Sequence, residues 1–285
     1  MNKQLFGNEN ILKLTPALFI FCLYFPTLTD LYTHRWASID FHHAYFILPI
    51  FIWLIWQKRD LFLNLTAPPS IQENTAGIFI LIFGALLYII GCHSDYLMVS
   101  TFSLLPVLSG YICFIFGIKV LTRLWFPLTY LLLMIPLPLG IMDSITIPMR
   151  YSVASAAEFI LSFLNYPISR EGLTLLLNGK QIYMGAPCSG FRSLITLIAL
   201  GVVYIYISSG SPRTKSILLL SIIPMALLGN LFRVISVCLA MNYFNSRISC
   251  RIHDFGGYAI FIFLILTLIA LENLCLKMEK KGACP

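Results

Sequence analysis

Long apolar runs, separated by short polar segments, dominate the chain. A helix needs about 17–25 apolar residues to cross a bilayer. Runs that approach this length occur eight times, at residues 14–31, 41–56, 76–92, 97–118, 124–141, 189–207, 217–244 and 254–276. The pattern therefore predicts an all-α polytopic membrane protein with about eight transmembrane helices.

Two segments between the fifth and sixth runs depart from this pattern. Residues 146–164 carry Arg150 and Glu158 among small and apolar residues, which is typical of an amphipathic helix lying on the membrane surface. Residues 173–184 have Asn178-Gly179 at their centre, between stretches that favour strand. Asn-Gly in that setting is a strong hairpin signal. We therefore expect an interfacial helix followed by a small β-hairpin.

The distribution of Lys and Arg predicts the orientation. Cytoplasmic segments of membrane proteins carry an excess of these residues. We expect both termini to be cytoplasmic in a cell inner membrane, residues 146–188 to be extracytoplasmic, and residues 1–285 to form one membrane-embedded domain. With this orientation most basic residues lie inside: Lys3, Lys13, Lys58, Arg59, Lys119, Arg123, Arg213, Lys215, Lys277, Lys280 and Lys281.

Composition supports the membrane interpretation and excludes several function classes. Of the 285 residues, 59% are hydrophobic and 11% charged, whereas soluble proteins carry about 25% charged residues. The net charge of +7 forms no basic stripe with interleaved aromatics, so we expect no nucleic-acid partner. Phosphate-loop, dinucleotide and serine-elbow motifs are absent from the sequence, and so are paired metal-ligand motifs. We expect no cofactor and no metal.

Cys188 is the strongest candidate nucleophile. It stands in Gly-Ala-Pro-Cys-Ser-Gly-Phe-Arg, just before the sixth run, where Pro187 suits the start of a helix. A helix N-terminus favours a thiolate, and the cation of Arg192, four residues on, would favour it further. The alternative is a structural cysteine, or one paired with Cys250 in a disulfide.

Two more polar residues stand out in the last runs. Arg233 lies inside the seventh run, where an arginine costs about 2.5–3.5 kcal/mol on insertion scales and needs a polar interior. Asn230 is one helical turn earlier. His253 opens the eighth run and has a side chain suited to proton transfer. The alternatives are a structural ion pair for Arg233 and an interfacial histidine without a catalytic role. Counting residues also places Arg233 about 16 Å from the outer end of its helix, deeper than Cys188.

Taken in order, these motifs resemble the exosortase/archaeosortase family of membrane transpeptidases. The segment at residues 41–49 differs from the family's usual Ser-His-Gly, because His42-His43-Ala44 stands in its place. The likeness covers about residues 14–276. The matching segments are residues 41–49, the proline-rich 135–138, a Cys box at 187–194, an Arg box at 230–234, and His253 with Gly256 and Gly257.

The resemblance implies a membrane cysteine peptidase or transpeptidase. Such an enzyme cleaves the C-terminal sorting tail of exported proteins, which consists of a short motif, a transmembrane span and a basic cluster, often in an exopolysaccharide setting. It implies catalysis by Cys188, Arg233 and His253. From the residues themselves we expect a thioester on Cys188 and support from Arg192 and Asn230; the acyl acceptor stays open. A transporter with a broken, proline-rich fifth helix is one alternative, and a non-catalytic sorting or assembly scaffold is another.

Overall fold

The computed structural model describes residues 8–38, 41–63, 69–185, 189–244 and 246–282. The chain packs as two compact units, Met1–Pro138 and Leu139–Pro285. The helices of the first unit are α1 Asn8–Asp30, continued by a π-helical turn Leu31–Arg35, α2 Ala44–Gln57, α3 Asp60–Leu63, α4 Ile71–His93, α5 Leu97–Phe102, α6 Leu104–Phe116, α7 Ile118–Arg123 and α8 Trp125–Tyr130, continued by a 3₁₀ turn Leu131–Met134. The second unit has α9 Leu139–Phe163, β1 Ile168–Glu171, β2 Thr174–Leu177, β3 Lys180–Tyr183, α10 Phe191–Ile207, α11 Pro212–Tyr243 and α12 Ser246–Gly282.

The helices confirm a multi-pass membrane protein. Four helical segments of the described chain are long and apolar enough to cross a bilayer, and three apolar helices of 10–17 residues accompany them. The count of eight spans stays a prediction. The four long segments are Ile71–His93, Leu97–Phe116, Pro212–Tyr243 and Phe261–Glu279; the shorter ones are Ala44–Gln57, Trp125–Met134 and Phe191–Ile207.

The fifth apolar run is not one continuous helix. Helical structure ends at Met134 and resumes at Leu139, so the predicted span at residues 124–141 is broken. Pro136 and Pro138 lack a backbone N–H and disfavour helical geometry in the residues before them, which explains the break. The helix that follows begins at Leu139, earlier than the predicted start at residue 146.

A three-stranded antiparallel sheet in the order β1-β2-β3 occupies the start of the second unit. The predicted hairpin is confirmed as β2–β3, and Asn178 (φ +50°) and Gly179 (φ +76°) form its turn. Positive φ at both central residues is the type I′ geometry that Asn-Gly favours. Strand β1 was not predicted. The buried face of the sheet packs against α9 and α11 in one apolar cluster: Val153, Ala154, Ala157, Leu161, Leu175, Leu177, Ile182, Met184, Val234 and Cys238.

The remaining helices of this unit, α10, α11 and α12, form a bundle. A second apolar cluster joins all three helices: Leu197, Ile205, Leu218, Ile222, Ala226, Leu264 and Leu268. The 32 residues of α11 extend about 48 Å, which exceeds the roughly 30 Å of bilayer hydrocarbon. Part of α11 therefore extends past the hydrocarbon, and its C-terminal part is the part that carries the sheet.

Candidate active site

The C-terminal half of α11 carries the Arg box. Asn230 is 1% exposed and Val234 is 3% exposed, so this turn of the helix faces the interior of the unit. Arg233 lies between them in sequence and is half-buried. The intramembrane charge that the sequence singled out is thus on a packed helix, beside a buried amide.

The chain entering α10 lies directly on this turn. Gly190 has φ +78°, and a Cβ added to it would lie 2.7 Å from the Asn230 Cγ atom. Only glycine combines that left-handed backbone with so close an approach. Ser189 is 1% exposed, and its Oγ accepts a hydrogen bond from the Phe191 N–H at 3.2 Å. Ser189 and Gly190, the last two residues before α10, are therefore fixed against Asn230.

The chain leaving β3 packs a short distance further along the same helix. Met184 is 1% exposed and shares an apolar cluster with Val234 and Cys238. Its N–H donates to the Leu173 carbonyl at 2.8 Å. Met184 and Gly190, which flank residues 186–188 in sequence, thus both pack against α11. Gly190 packs before Arg233, at Asn230, and Met184 packs after it, with Val234 and Cys238.

The predicted nucleophile itself lies outside the described residues. The side chain of Cys250, in α12, is likewise not among those that the structure describes, so neither a reactive Cys188 nor the alternative Cys188–Cys250 disulfide is tested. Five cysteines of the described chain are free thiols, and they lie at Cys22, Cys92, Cys113, Cys238 and Cys275.

The predicted start of the sixth helix was wrong by two residues. Helix α10 begins at Phe191, and its N-cap Gly190 is left-handed, so the helix does not extend back to Ser189. The argument that Cys188 and Arg192 lie one helical turn apart fails, because helical spacing applies only within a helix. Arg192 lies in the first turn of α10 and is half-buried.

The predicted position of His253 at a helix start was also wrong. Helix α12 begins at Ser246, so His253 lies two turns inside it. The apolar run begins at residue 254, but the polar residues before it continue the same helix. The side chain of His253 lies outside the part of the chain that the structure describes. Helix α12 packs against α10 and α11, so the helices that bear the Arg and His boxes belong to one bundle with the helix that follows the Cys box.

Two carboxylates, Glu272 and Glu279, close the opposite end of this bundle. Glu272 is buried and accepts hydrogen bonds from the hydroxyls of Tyr204 and Ser208. Glu279 accepts hydrogen bonds from the hydroxyls of Ser211 and Thr214, the latter at 2.5 Å. We call these six residues the hydroxyl–carboxylate cluster. The sequence analysis missed it, although an acidic residue within an apolar run is itself a signal.

The hydroxyl–carboxylate cluster is remote from the Arg box. Thr214 and Arg233 are nineteen residues apart on α11, which corresponds to about 28 Å of helix. Arg233 and the carboxylate of Glu279 therefore belong to different ends of the bundle, and each end has its own chemistry.

His43, in the segment at residues 41–49, and the nearby Trp36 form hydrogen bonds to the broken fifth run within the first unit. His43 is 5% exposed, and its Nε2 donates to the Leu133 carbonyl at 3.1 Å, because a carbonyl can only accept. The Trp36 indole N–H donates to the Met134 carbonyl at 3.4 Å. Both carbonyls lie just before the prolines, where helical partners are lost. For this segment the structure gives a packing role at the break.

No group of three or more His, Cys, Asp or Glu side chains in the described part of the chain could hold a metal ion.

Comparison with known proteins identifies the family. The sequence profile of the transmembrane exosortases (EpsH type) matches residues 36–270. This match spans the broken fifth run, the sheet, and the Cys, Arg and His boxes. Searches of curated proteins and of solved structures return no match. The chain therefore belongs to the transmembrane exosortase family, and it is a multi-pass membrane protein of a family of proteases and transpeptidases.

Proposed function

We propose that this exosortase is a cysteine peptidase or transpeptidase that cleaves the C-terminal sorting tail of exported proteins. In this proposal Cys188 is the nucleophile, Arg233 stabilises negative charge, and His253 transfers protons. The tail consists of a short motif, a transmembrane span and a basic cluster, and the cut frees the exported part from its span.

One observation carries the proposal: Gly190 packs on Asn230, one turn from Arg233. Consecutive Cα atoms are about 3.8 Å apart, so the Cα atoms of Cys188 and Gly190 are separated by about 7.6 Å at most. Asn230 and Arg233 are offset by about 4.5 Å along the helix. Covalent connectivity therefore supports a Cys188 thiol within reach of the Arg233 side chain.

The length of α11 supports an active site at the outer membrane surface. If the hydrocarbon begins at residue 217, just after Lys215, about 20 residues of helix cross its 30 Å. Arg233 then lies about 24 Å along the helix from that start, nearer to the far boundary than to the bilayer centre. This count reduces the discrepancy in depth between Arg233 and Cys188 that arises from counting to the end of the apolar run. We propose that this face is extracytoplasmic and that both termini are cytoplasmic.

In the acylation step, the Cys188 thiolate attacks the carbonyl carbon of the scissile peptide bond. The carbonyl π-electrons move onto oxygen, and the Arg233 guanidinium stabilises that oxyanion. When the intermediate collapses, the C–N bond breaks and the protonated His253 imidazole gives its proton to the departing amine. The products are a thioester on Cys188 and a released span with a new N-terminus.

In the second step, neutral His253 removes a proton from the incoming nucleophile, which attacks the thioester carbonyl. The C–S bond breaks, and the thiolate is regenerated beside Arg233. An acceptor molecule gives transpeptidation and water gives hydrolysis. Asn230 and Arg192 are proposed to support the site, Asn230 by holding the chain at Gly190 and Arg192 as an additional cation near the start of α10.

The test is processing of a tailed reporter protein in cells that express the full-length chain. We expect Cys188→Ala and Cys188→Ser to abolish the shift of the reporter to its shorter form. Cys92→Ser is the matched control, because Cys92 is an exposed free thiol at the end of α4, and we expect full processing. Membrane levels of all three variants are compared by immunoblot.

Two outcomes would refute the proposal. Full processing by Cys188→Ala would exclude covalent catalysis at this residue. A Cys188–Cys250 disulfide in the active, membrane-inserted protein would instead favour the scaffold alternative, because a disulfide sulfur is not a thiolate.

A further inference from the structure

We propose that Asn178 and Lys180 are positioning residues for the reaction. They attach the turn of the β2–β3 hairpin to the C-terminal end of α11. We infer that this attachment determines the position of Cys188 along α11, relative to Arg233. The inference rests on the proposed function, in which Cys188 acts beside Arg233.

The attachment consists of polar contacts at the end of α11. Lys180 Nζ donates to the Met241 carbonyl at 2.5 Å and contacts the Asn242 carbonyl at 3.4 Å. Asn178 Nδ2 donates to the Asn242 Oδ1 atom at 2.5 Å. Carbonyls in the last turn of a helix lack intrahelical partners, and a cation there is favoured by the helix dipole. The hairpin turn therefore caps α11.

From this cap, β3 runs back along α11 towards Arg233. The Lys180 side chain contacts the Met241 carbonyl, whereas Met184 packs with Val234 and Cys238, further back along α11. Four residues of strand cover about 13 Å. Eight residues of helix, from Met241 back to Arg233, cover about 12 Å. The two lengths match, so the strand ends at the level of Arg233, just before residues 186–188.

The turn is suited to set a position rather than to build the core. Asn178, Gly179 and Lys180 are all exposed, so they bury little apolar surface. The buried side chains of β2 and β3, such as Leu175 and Ile182, determine which face of the sheet packs on α9 and α11. The polar contacts at the turn hold the hairpin to the C-terminal end of α11.

The position of Cys188 has a chemical consequence. A thiolate is favoured by a nearby cation, and this effect weakens with distance. Releasing the turn would let the Cys188 segment shift relative to Arg233. The fraction of thiolate at neutral pH would then fall, although the fold of the bundle is unchanged.

The experiment measures the alkylation rate of Cys188 by iodoacetamide between pH 5 and 10. Full-length protein in proteoliposomes is used, and the Cys188 peptide is quantified by mass spectrometry, so the other cysteines stay in place. The variants are Asn178→Gly, Lys180→Met and the double variant. Glycine retains the positive φ of the turn, and methionine retains most of the aliphatic stem. Lys180→Arg tests rescue, and Gln181→Ala, an exposed residue of β3, is the matched control.

We expect the double variant to react about ten-fold more slowly at pH 7, with its alkylation midpoint about one pH unit higher. Each single variant should show a smaller change, Lys180→Arg should react like the wild type, and Gln181→Ala should be unchanged. A shift in the pH midpoint that Lys180→Arg reverses supports the inference, since a general loss of stability would not produce it. If the double variant does not insert, the single variants carry the same test.

Two results overturn the inference, and they differ from failure of the proposed function. If wild-type Cys188 has a lowered midpoint and the double variant has the same one, the attachment does not position the thiol. If Gln181→Ala shifts the midpoint as much as Lys180→Met does, the effect is not specific to the turn. An ordinary thiol midpoint in the wild type, together with processing by Cys188→Ala, would instead refute the proposed function itself.

Discussion

The two ends of the α10–α11–α12 bundle differ in their chemistry. At the hydroxyl–carboxylate cluster, the carboxylates of Glu272 and Glu279 each accept hydrogen bonds from two hydroxyl groups. At the other end, Arg233 and Asn230 lie where the Cys-box chain crosses α11. The first end is a set of short-range hydrogen bonds that fastens helices together. The second combines a cation with a close backbone approach that only glycine permits. We expect charge to matter for activity at the second end and for stability at the first.

The largest effect is expected at Arg233. Arg233→Gln removes the cation that we propose stabilises the oxyanion, and loss of such a group typically costs about 100-fold or more in rate. We expect processing of the tailed reporter to become undetectable while the membrane level of the protein is retained. Arg170→Gln is the control, because Arg170 is also a half-buried arginine and pairs with Glu158 at 2.8 Å, away from the proposed site. Equal losses for the two variants would remove the distinction between a functional and a structural cation.

A second, smaller effect is expected at Gly190. Gly190→Ala adds a Cβ 2.7 Å from Asn230 Cγ at a φ of +78°. The left-handed backbone alone costs about 1–2 kcal/mol for a residue with a Cβ, so the chain should move away from α11. We expect processing to fall by about ten-fold or more. Gly140→Ala, a helical glycine with no neighbour within 4 Å of an added Cβ, should process normally. Wild-type activity of Gly190→Ala would show that this approach is not needed.

At the opposite end, Glu272→Gln should affect stability more than activity. The amide oxygen accepts one of the two hydroxyl bonds from Tyr204 and Ser208, but hydrogen bonds to a neutral group are weaker by about 1 kcal/mol. We expect a lower melting temperature in detergent and processing within about three-fold of the wild type. Abolished processing at an unchanged melting temperature would mean that this carboxylate serves catalysis.

The smallest effect is expected for the Arg170–Glu158 pair between β1 and α9. Both side chains are about one-third exposed, and pairs of this kind contribute about 0.2–1 kcal/mol. A double-mutant cycle with Arg170→Gln and Glu158→Gln, read from thermal unfolding, should give a coupling in that range. A coupling several-fold larger would make this pair part of the structural core of the sheet.

The features that sequence analysis predicted correctly have local causes. Asn178-Gly179 predicted the β2–β3 turn because a type I′ turn depends on those two residues alone. The apolar runs predicted membrane helices, and the ordered motifs predicted the family. Pro136 and Pro138 indicated a broken fifth helix, but only within the transporter alternative, and the run itself was predicted as one span at residues 124–141.

The features that were missed depend on distant partners. Strand β1 alternates between half-buried and exposed positions and is recognisable only beside β2. The hydroxyl–carboxylate cluster joins residues about 65 positions apart, and Glu272 and Glu279 resemble an ordinary polar helix end when they are considered alone. The contact between Gly190 and Asn230 likewise exists only after the sheet has folded onto α11.

Detection of the acyl-enzyme tests the central claim most directly. Full-length protein is incubated with a tailed reporter, quenched in acid and digested, and the Cys188 peptide is analysed by mass spectrometry. The account predicts a Cys188 peptide that carries the last residues of the exported, N-terminal reporter fragment through a thioester bond that hydroxylamine cleaves. An unmodified Cys188 peptide in a sample that processes the reporter would contradict the account.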